Sequence, residues 1–155
     1  MSLKLYYKDS GDSYVAASSG DTMTSPITTT HDGKNGDTKV TCLYLHNDGS
    51  STKWYSNIAI RPRDLQIVNS YSDISYDDTG WGIKLSSSAT EPTDSEWEDI
   101  DWGNEISMSN VGSDSGSNVA TYYPFWYLIT CPPNTDAQNK SDISLDVLYT
   151  ENAVT

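Results

Sequence analysis

Two histidines, two cysteines and a surplus of carboxylates are the side chains of this 155-residue sequence best suited to chemistry. His31 sits in a glycine-marked loop that runs from Thr30 to Asp37, and His46 sits close to a turn. Cys42 and His46 lie four residues apart on an expected strand. They therefore share a face, but at roughly 13 Å by the rise of an extended chain they are too far apart for proton transfer. No G-x-S-x-G or H-E-x-x-H pattern accompanies either histidine. Zinc-spaced cysteines are missing, as is a glycine-rich loop between a strand and a helix, which disfavours zinc- and nucleotide-dependent catalysis. Cys42 and Cys131 read as reduced, buried thiols acting as small hydrophobes, with a disulfide between sheets as the lesser alternative. No catalytic residue is assigned, and the expectation is a protein that is not an enzyme.

The acidic residues gather in two groups, Asp73, Asp77 and Asp78, then Glu91, Asp94, Glu96, Glu98, Asp99 and Asp101. Clustered loop carboxylates can supply the oxygen ligands that calcium takes, but neither group has the twelve-residue loop with its central glycine and terminal glutamate. Solvated negative charge is the simpler reading. Calcium is the one cofactor left open. A carboxylate pair for glycoside hydrolysis needs a set separation across a cleft, and a chain this acidic can match any pair by coincidence. Sugar binding is a stronger rival. Exposed aromatic rings stack on flat sugar faces, and Trp54 with Tyr55, or Trp81 with Trp102, are candidate platforms. Taken singly, each of these four reads better as core or as a loop anchor.

The elements that must position these groups are strands. Around Thr38 to Arg61, Val40, Cys42 and Tyr44 alternate with Thr41, Leu43 and Leu45. Further on, Ile58 and Ile60 share a face, with Tyr55, Asn57 and Ala59 opposite. Period two with β-branched and aromatic side chains suits a pleated surface. Asn47-Asp48-Gly49-Ser50 has turn chemistry, so a hairpin with an extended loop is expected here. Pro62 is expected to end its second strand. Short strands are also expected at Leu3 to Tyr7, Tyr14 to Ala16, Ile27 to Thr30, Trp81 to Leu85 and Ile106 to Met108. Longer ones are expected at Tyr122 to Thr130 and Ile143 to Thr150. Thr93 followed by Glu96 fits a capping box, so one or two helical turns should follow. The 111–118 stretch reads as a flexible surface loop and residues 151–155 as a loose tail.

The result is a single domain over 1–155, an all-β antiparallel sandwich of immunoglobulin-like or jelly-roll kind with one short helix. The immunoglobulin-like form is slightly preferred. Residues 1–8 would form an edge strand or an arm reaching a neighbouring subunit. Serine and threonine make up about a quarter of the chain, against one Phe, five Trp and eleven Tyr. The net charge of −13, with nine basic residues, repels phosphate backbones and anionic membranes, which excludes nucleic-acid and membrane surfaces as expected partners. No apolar run reaches the length of a membrane-crossing helix, and the N-terminal stretch lacks the pattern of a secretory signal.

Three stretches carry a resemblance: LYLHNDGSSTKWYSNIAI, WGIKLSSSATEPTDSEW and YYPFWYLITCPPNTDAQNKSDISLDVLYTE. Together they resemble the small β-sandwich accessory proteins of tailed-bacteriophage virions, over roughly residues 40 to 151. The resemblance implies synthesis in the host cytoplasm, a place in the virion, and other virion proteins, such as major capsid or tail subunits, as partners. Capsid decoration is the first placement, with tail, neck or baseplate as the alternative. It supplies no active-site residues. Tyr122 to Thr130 is apolar on both faces, which suggests a surface met by another chain. Leu3, Leu5, Tyr7, Tyr122, Pro124 and Trp126 are the interface candidates of an expected homo-oligomer.

Overall fold

The computed structural model describes residues 3–17, 27–47, 52–64, 82–99, 105–131, 133–134 and 139–155. Its strands are β1 (Leu3–Lys8), β2 (Tyr14–Ala16), β3 (Ile27–Thr30), β4 (Asp37–Asn47), β5 (Lys53–Asp64), β6 (Gly82–Ser86), β7 (Glu98–Asp99), β8 (Ile106–Met108), β9 (Tyr123–Cys131) and β10 (Asn139–Ala153). They build two antiparallel sheets, a six-stranded one ordered β2-β1-β4-β9-β6-β7 and a four-stranded one ordered β3-β10-β5-β8.

The pairing is nested. β3 pairs with β10, β4 with β9, β5 with β8 and β6 with β7. Successive pairs alternate between the sheets, as if one long hairpin had been rolled up. This is the eight-stranded jelly roll, with β1 and β2 added beside β4. Immunoglobulin sandwiches set several chain-consecutive strands side by side in one sheet. Here, among the described strands, only β1–β2 and β6–β7 do so, and the preference for that form was mistaken.

Rolling also overturns the expected central hairpin. β4 and β5 are consecutive but belong to opposite sheets, so the chain between them crosses from one layer to the other. Asp48, Gly49 and Ser50 lie outside the described residues, and their turn chemistry does not say which strands pair. Leu3, Leu5, Leu43, Leu45, Ile83, Leu85, Phe125 and Ile129 from one sheet meet Tyr55, Ile58, Ile60, Ile106 and Leu145 from the other, all but fully buried. Each such side chain contributes about 1.5–3 kcal/mol relative to exposure.

The alternation read for β5 fails at one residue. Asn57 has φ 51°, and the β5–β10 register slips where Leu148 faces Ala59 but Thr150 faces Ser56. An extra residue in one strand resets its parity. Tyr55 therefore points into the core with Ile58 and Ile60 instead of away from them. Pro62 does not end β5, because it pairs with Leu145 beyond the reach of β8, where a missing N–H costs no ladder bond. The helical start is real but brief: Asp94–Glu96 is one 3-10 turn, with the Glu96 carboxylate accepting from the Thr93 amide at 2.7 Å. The 111–118 stretch is organised by a bridge from Val111 to Tyr55 and by linked Ser113, Ser115 and Ser117 hydroxyls. Nor is the tail loose. β10 runs to Ala153, the Val154 amide donates to Thr52 at 2.9 Å, and that of Thr155 donates to Asp114 at 2.9 Å.

Candidate functional site

The outer face of the six-stranded sheet is where this molecule departs most from ordinary sandwich chemistry. Alternation in β1, β4 and β9 sends Leu5, Leu43, Leu45, Phe125 and Tyr127 inward, so their neighbours Tyr6, Tyr44, His46, Pro124, Trp126 and Leu128 point out. Register then lines them up. Tyr6 lies opposite Tyr44, which lies opposite Pro124, and Cys42 lies opposite Trp126. Tyr14 arrives from β2 opposite Lys8.

Tyr122 is stacked between two rings, Tyr14 at 3.6 Å between centroids and His46 at 3.8 Å. Tyr6 meets Tyr122 and His46 edge-on, and Tyr44 meets Tyr14 edge-on. Lys8 Nζ sits 5.1 Å from the Tyr14 centroid and 5.8 Å from that of Tyr44, a cation over aromatic faces. His46 Nδ1 lies 3.3 Å from the Thr121 carbonyl, which orients its ring. Burial, followed by the hydrogen bond with Cys42, pushes the Tyr44 phenol up to about 12. Burial likewise raises the Cys42 thiol, away from the reactive thiolate. Tyr44 and Cys42 are thus both held towards their neutral forms, and Lys8 is paired with Asp12 at 3.5 Å. Tyr14 and Val40 remain 38% exposed on this face, and the indole N–H of Trp126 is buried without a hydrogen-bond partner among the described residues.

The interface candidates divide. Tyr122, Pro124 and Trp126 belong to this outer face. Tyr7 is 40% exposed. Leu3 and Leu5 must be withdrawn, because both are 0% exposed in the chain's own core. β1 is not the edge strand either, since β2 lies outside it over Tyr6 to Lys8.

The sugar platforms fare worse. Tyr55 is fully buried, a correction that follows from the bulge at Asn57. Trp54 is partly buried, with its indole N–H donating to the Ala153 carbonyl at 3.2 Å. Trp81 and Trp102 fall outside the described residues, as do Asp73, Asp77, Asp78 and Asp101. A shallow depression of about 190 Å³ between Ser107–Ser109 and Tyr123–Pro124 is lined by hydroxyls and apolar groups, with no carboxylate or imidazole.

Separation of Cys42 and Cys131 is complete. They lie on adjacent strands, but on opposite faces, and they form no disulfide with one another. Cys131 instead meets His31 and Asp37, a grouping that sequence spacing did not reveal. One donor atom from each of the three residues lies within 4.8 Å of the others. Asp37 and Cys131 are cross-strand partners, and His31 is delivered by the loop after β3. His31 Nδ1 is 2.5 Å from Asp37 Oδ1, and the Asp32 amide donates to Asp37 Oδ2 at 2.9 Å. Burial works against the Asp37 carboxylate, but the Asp32 amide, His31 and Lys39 together hold it below its ordinary value. Only knowledge that β4 pairs with β9 could have brought residues 37 and 131 together.

No family model and no curated protein matches the chain. Among solved structures it is similar to the CupB6 tip adhesin from Pseudomonas aeruginosa, at 12% identity and a TM-score of 0.35, over 83% of this chain and 42% of that one. The chain thus spans less than half the length of that adhesin.

Proposed function

We propose that this chain is a non-catalytic binding subunit that joins a larger assembly by laying the outer face of its six-stranded sheet against a neighbouring protein. The observation that carries this reading is the aromatic cluster of Tyr6, Tyr14, Tyr44, His46 and Tyr122 on a sheet face that water would otherwise cover. Protein contact centres are enriched in such rings. The resemblance in sequence texture supports a phage virion as the assembly, with the chain as an external capsid decoration first and a tail, neck or baseplate piece second. Jelly rolls occur in capsid and lectin domains alike, so the topology favours neither protein nor sugar. The ring geometry favours protein, because both faces of Tyr122 and one face each of Tyr14 and His46 are taken by one another, leaving few flat surfaces for a sugar.

The test is sedimentation velocity over a wide concentration range, together with binding of labelled chain to purified virions, for the native sequence and for Tyr14→Ser combined with Val40→Thr. Expected is association by the native chain that the double variant loses while keeping its circular dichroism. A native chain that is monomeric throughout and does not bind particles would sink the proposal. Saturable binding on a glycan array, lost in Trp54→Ala, would move the assignment to sugar recognition.

A further inference from the structure

From His31, Asp37 and Cys131 we infer a binding site for one divalent transition-metal ion of the zinc class, at the end of the roll where β4, β9 and the loop after β3 converge. The inference does not depend on the docking role of the sheet face. An imidazole nitrogen, a carboxylate oxygen and a thiol sulfur are a donor set that suits zinc and its neighbours, and not calcium. In a tetrahedral site with bonds of about 2.0–2.3 Å, such donors stand roughly 3.3–3.7 Å apart. The three donor atoms already lie within 4.8 Å of one another. Closing on an ion needs a movement of about 1 Å from the sulfur and an opening of similar size between His31 and Asp37, now 2.5 Å apart.

The surroundings hold the donors in place. Asp32 folds the loop through its carboxylate, which accepts from the Lys34 amide at 3.0 Å and from the Asn35 side-chain amide at 3.0 Å. Its own amide fixes Asp37 Oδ2 and leaves Oδ1 turned to His31. The Asn134 amide donates to the Lys34 carbonyl at 3.2 Å, which ties the chain beyond Cys131 to the same loop. His31 is 5% and Cys131 2% exposed, while the Asp37 side chain keeps 21% and marks the side from which an ion and a fourth ligand enter. Binding replaces the thiol proton of Cys131 by the ion, so a proton is released to solvent. The ion would tie the loop leaving the four-stranded sheet to a cross-strand pair of the six-stranded one.

The test uses full-length protein, stripped with chelator, kept reduced and titrated with Co²⁺. Expected are one equivalent bound, visible bands of tetrahedral intensity and a near-ultraviolet thiolate-to-cobalt band. Zinc should displace cobalt and raise the midpoint of thermal unfolding. Cys131→Ser should lose the thiolate band, and Cys42→Ser should keep it. If Cys131→Ser fails to fold, Asp37→Asn decides, with an expected loss of affinity of at least about tenfold. A native chain without the thiolate band would overturn the assignment. So would a band that survives Cys131→Ser, or an affinity that Asp37→Asn leaves unchanged.

Discussion

At the scale of single residues, the outer face depends on groups that stay neutral. Tyr44 sits between Tyr6 and Pro124 in the cross-strand row, and its phenol is held up to about 12 first by burial and then by Cys42, with Tyr14 and Asp12 adding to the effect. A phenol whose folded value exceeds its unfolded value of 10.0 contributes stability that is fully present below pH 10. That contribution drains away as pH rises towards 12, because the unfolded chain ionises first. Cys42, also raised, adds a loss of the same sign from its ordinary value of 9.0 upward. Urea-unfolding midpoints measured from pH 8 to 12 should therefore fall along an alkaline limb. Tyr44→Phe should flatten that limb above pH 10 and leave the part belonging to Cys42. A limb of unchanged slope in Tyr44→Phe would show that the phenol is not held neutral by its surroundings.

Within an element, one backbone angle redirects a whole strand. Asn57 occupies the left-handed region at φ 51°, which costs a side chain with a Cβ about 1–2 kcal/mol and which Asn tolerates better than most. Its amide also donates to Thr150 Oγ1 at 3.4 Å, a bond that any truncation removes. Comparing Asn57→Ala with Asn57→Gly cancels that loss and isolates the backbone term. The alanine variant should be less stable than the glycine variant by about 1 kcal/mol in chemical denaturation. Equal stabilities would mean that the bulge relaxes. The same residue shows what was legible in the sequence. Strands at Ile106 and Tyr123 were readable because a two-residue period is local, and the one at Ile27 because its residues are β-branched throughout. The burial of Tyr55 was not, because an Asn in a polar-looking position gives no sign that it is an inserted residue. Tyr6, Tyr14, Tyr44 and His46 were each visible as rings in alternating strands. Their convergence with Tyr122 depends on the β1–β4 and β2–β1 registers, and the meeting of His31, Asp37 and Cys131 on the β4–β9 register, which no local pattern encodes.

For the whole molecule, basic residues accompany the rings on the aromatic face, where Lys8 also pairs with Asp12. Three of the nine basic residues, Lys4, Lys8 and Lys84, alternate onto the outer face of the six-stranded sheet, while the chain as a whole carries −13. Among the described residues the outermost strands of the two sheets, β2, β7, β3 and β8, are two to four residues long, and strands this short offer little to edge pairing. On the docking role proposed for the face, salt tells which neighbour takes it. Two copies of a chain at −13 repel one another, and that repulsion is screened within about 8 Å at physiological ionic strength. An attraction between the lysines and an acidic partner is screened by the same ions. Self-association through the aromatic face should therefore tighten as sodium chloride is raised from about 0.05 to 0.5 M, with sedimentation velocity as the measurement. Tyr14→Ser should weaken it at every concentration of salt. Association that loosens with salt would mean that the lysines, not the rings, govern the contact, and the neighbour would then be an acidic surface of a different protein.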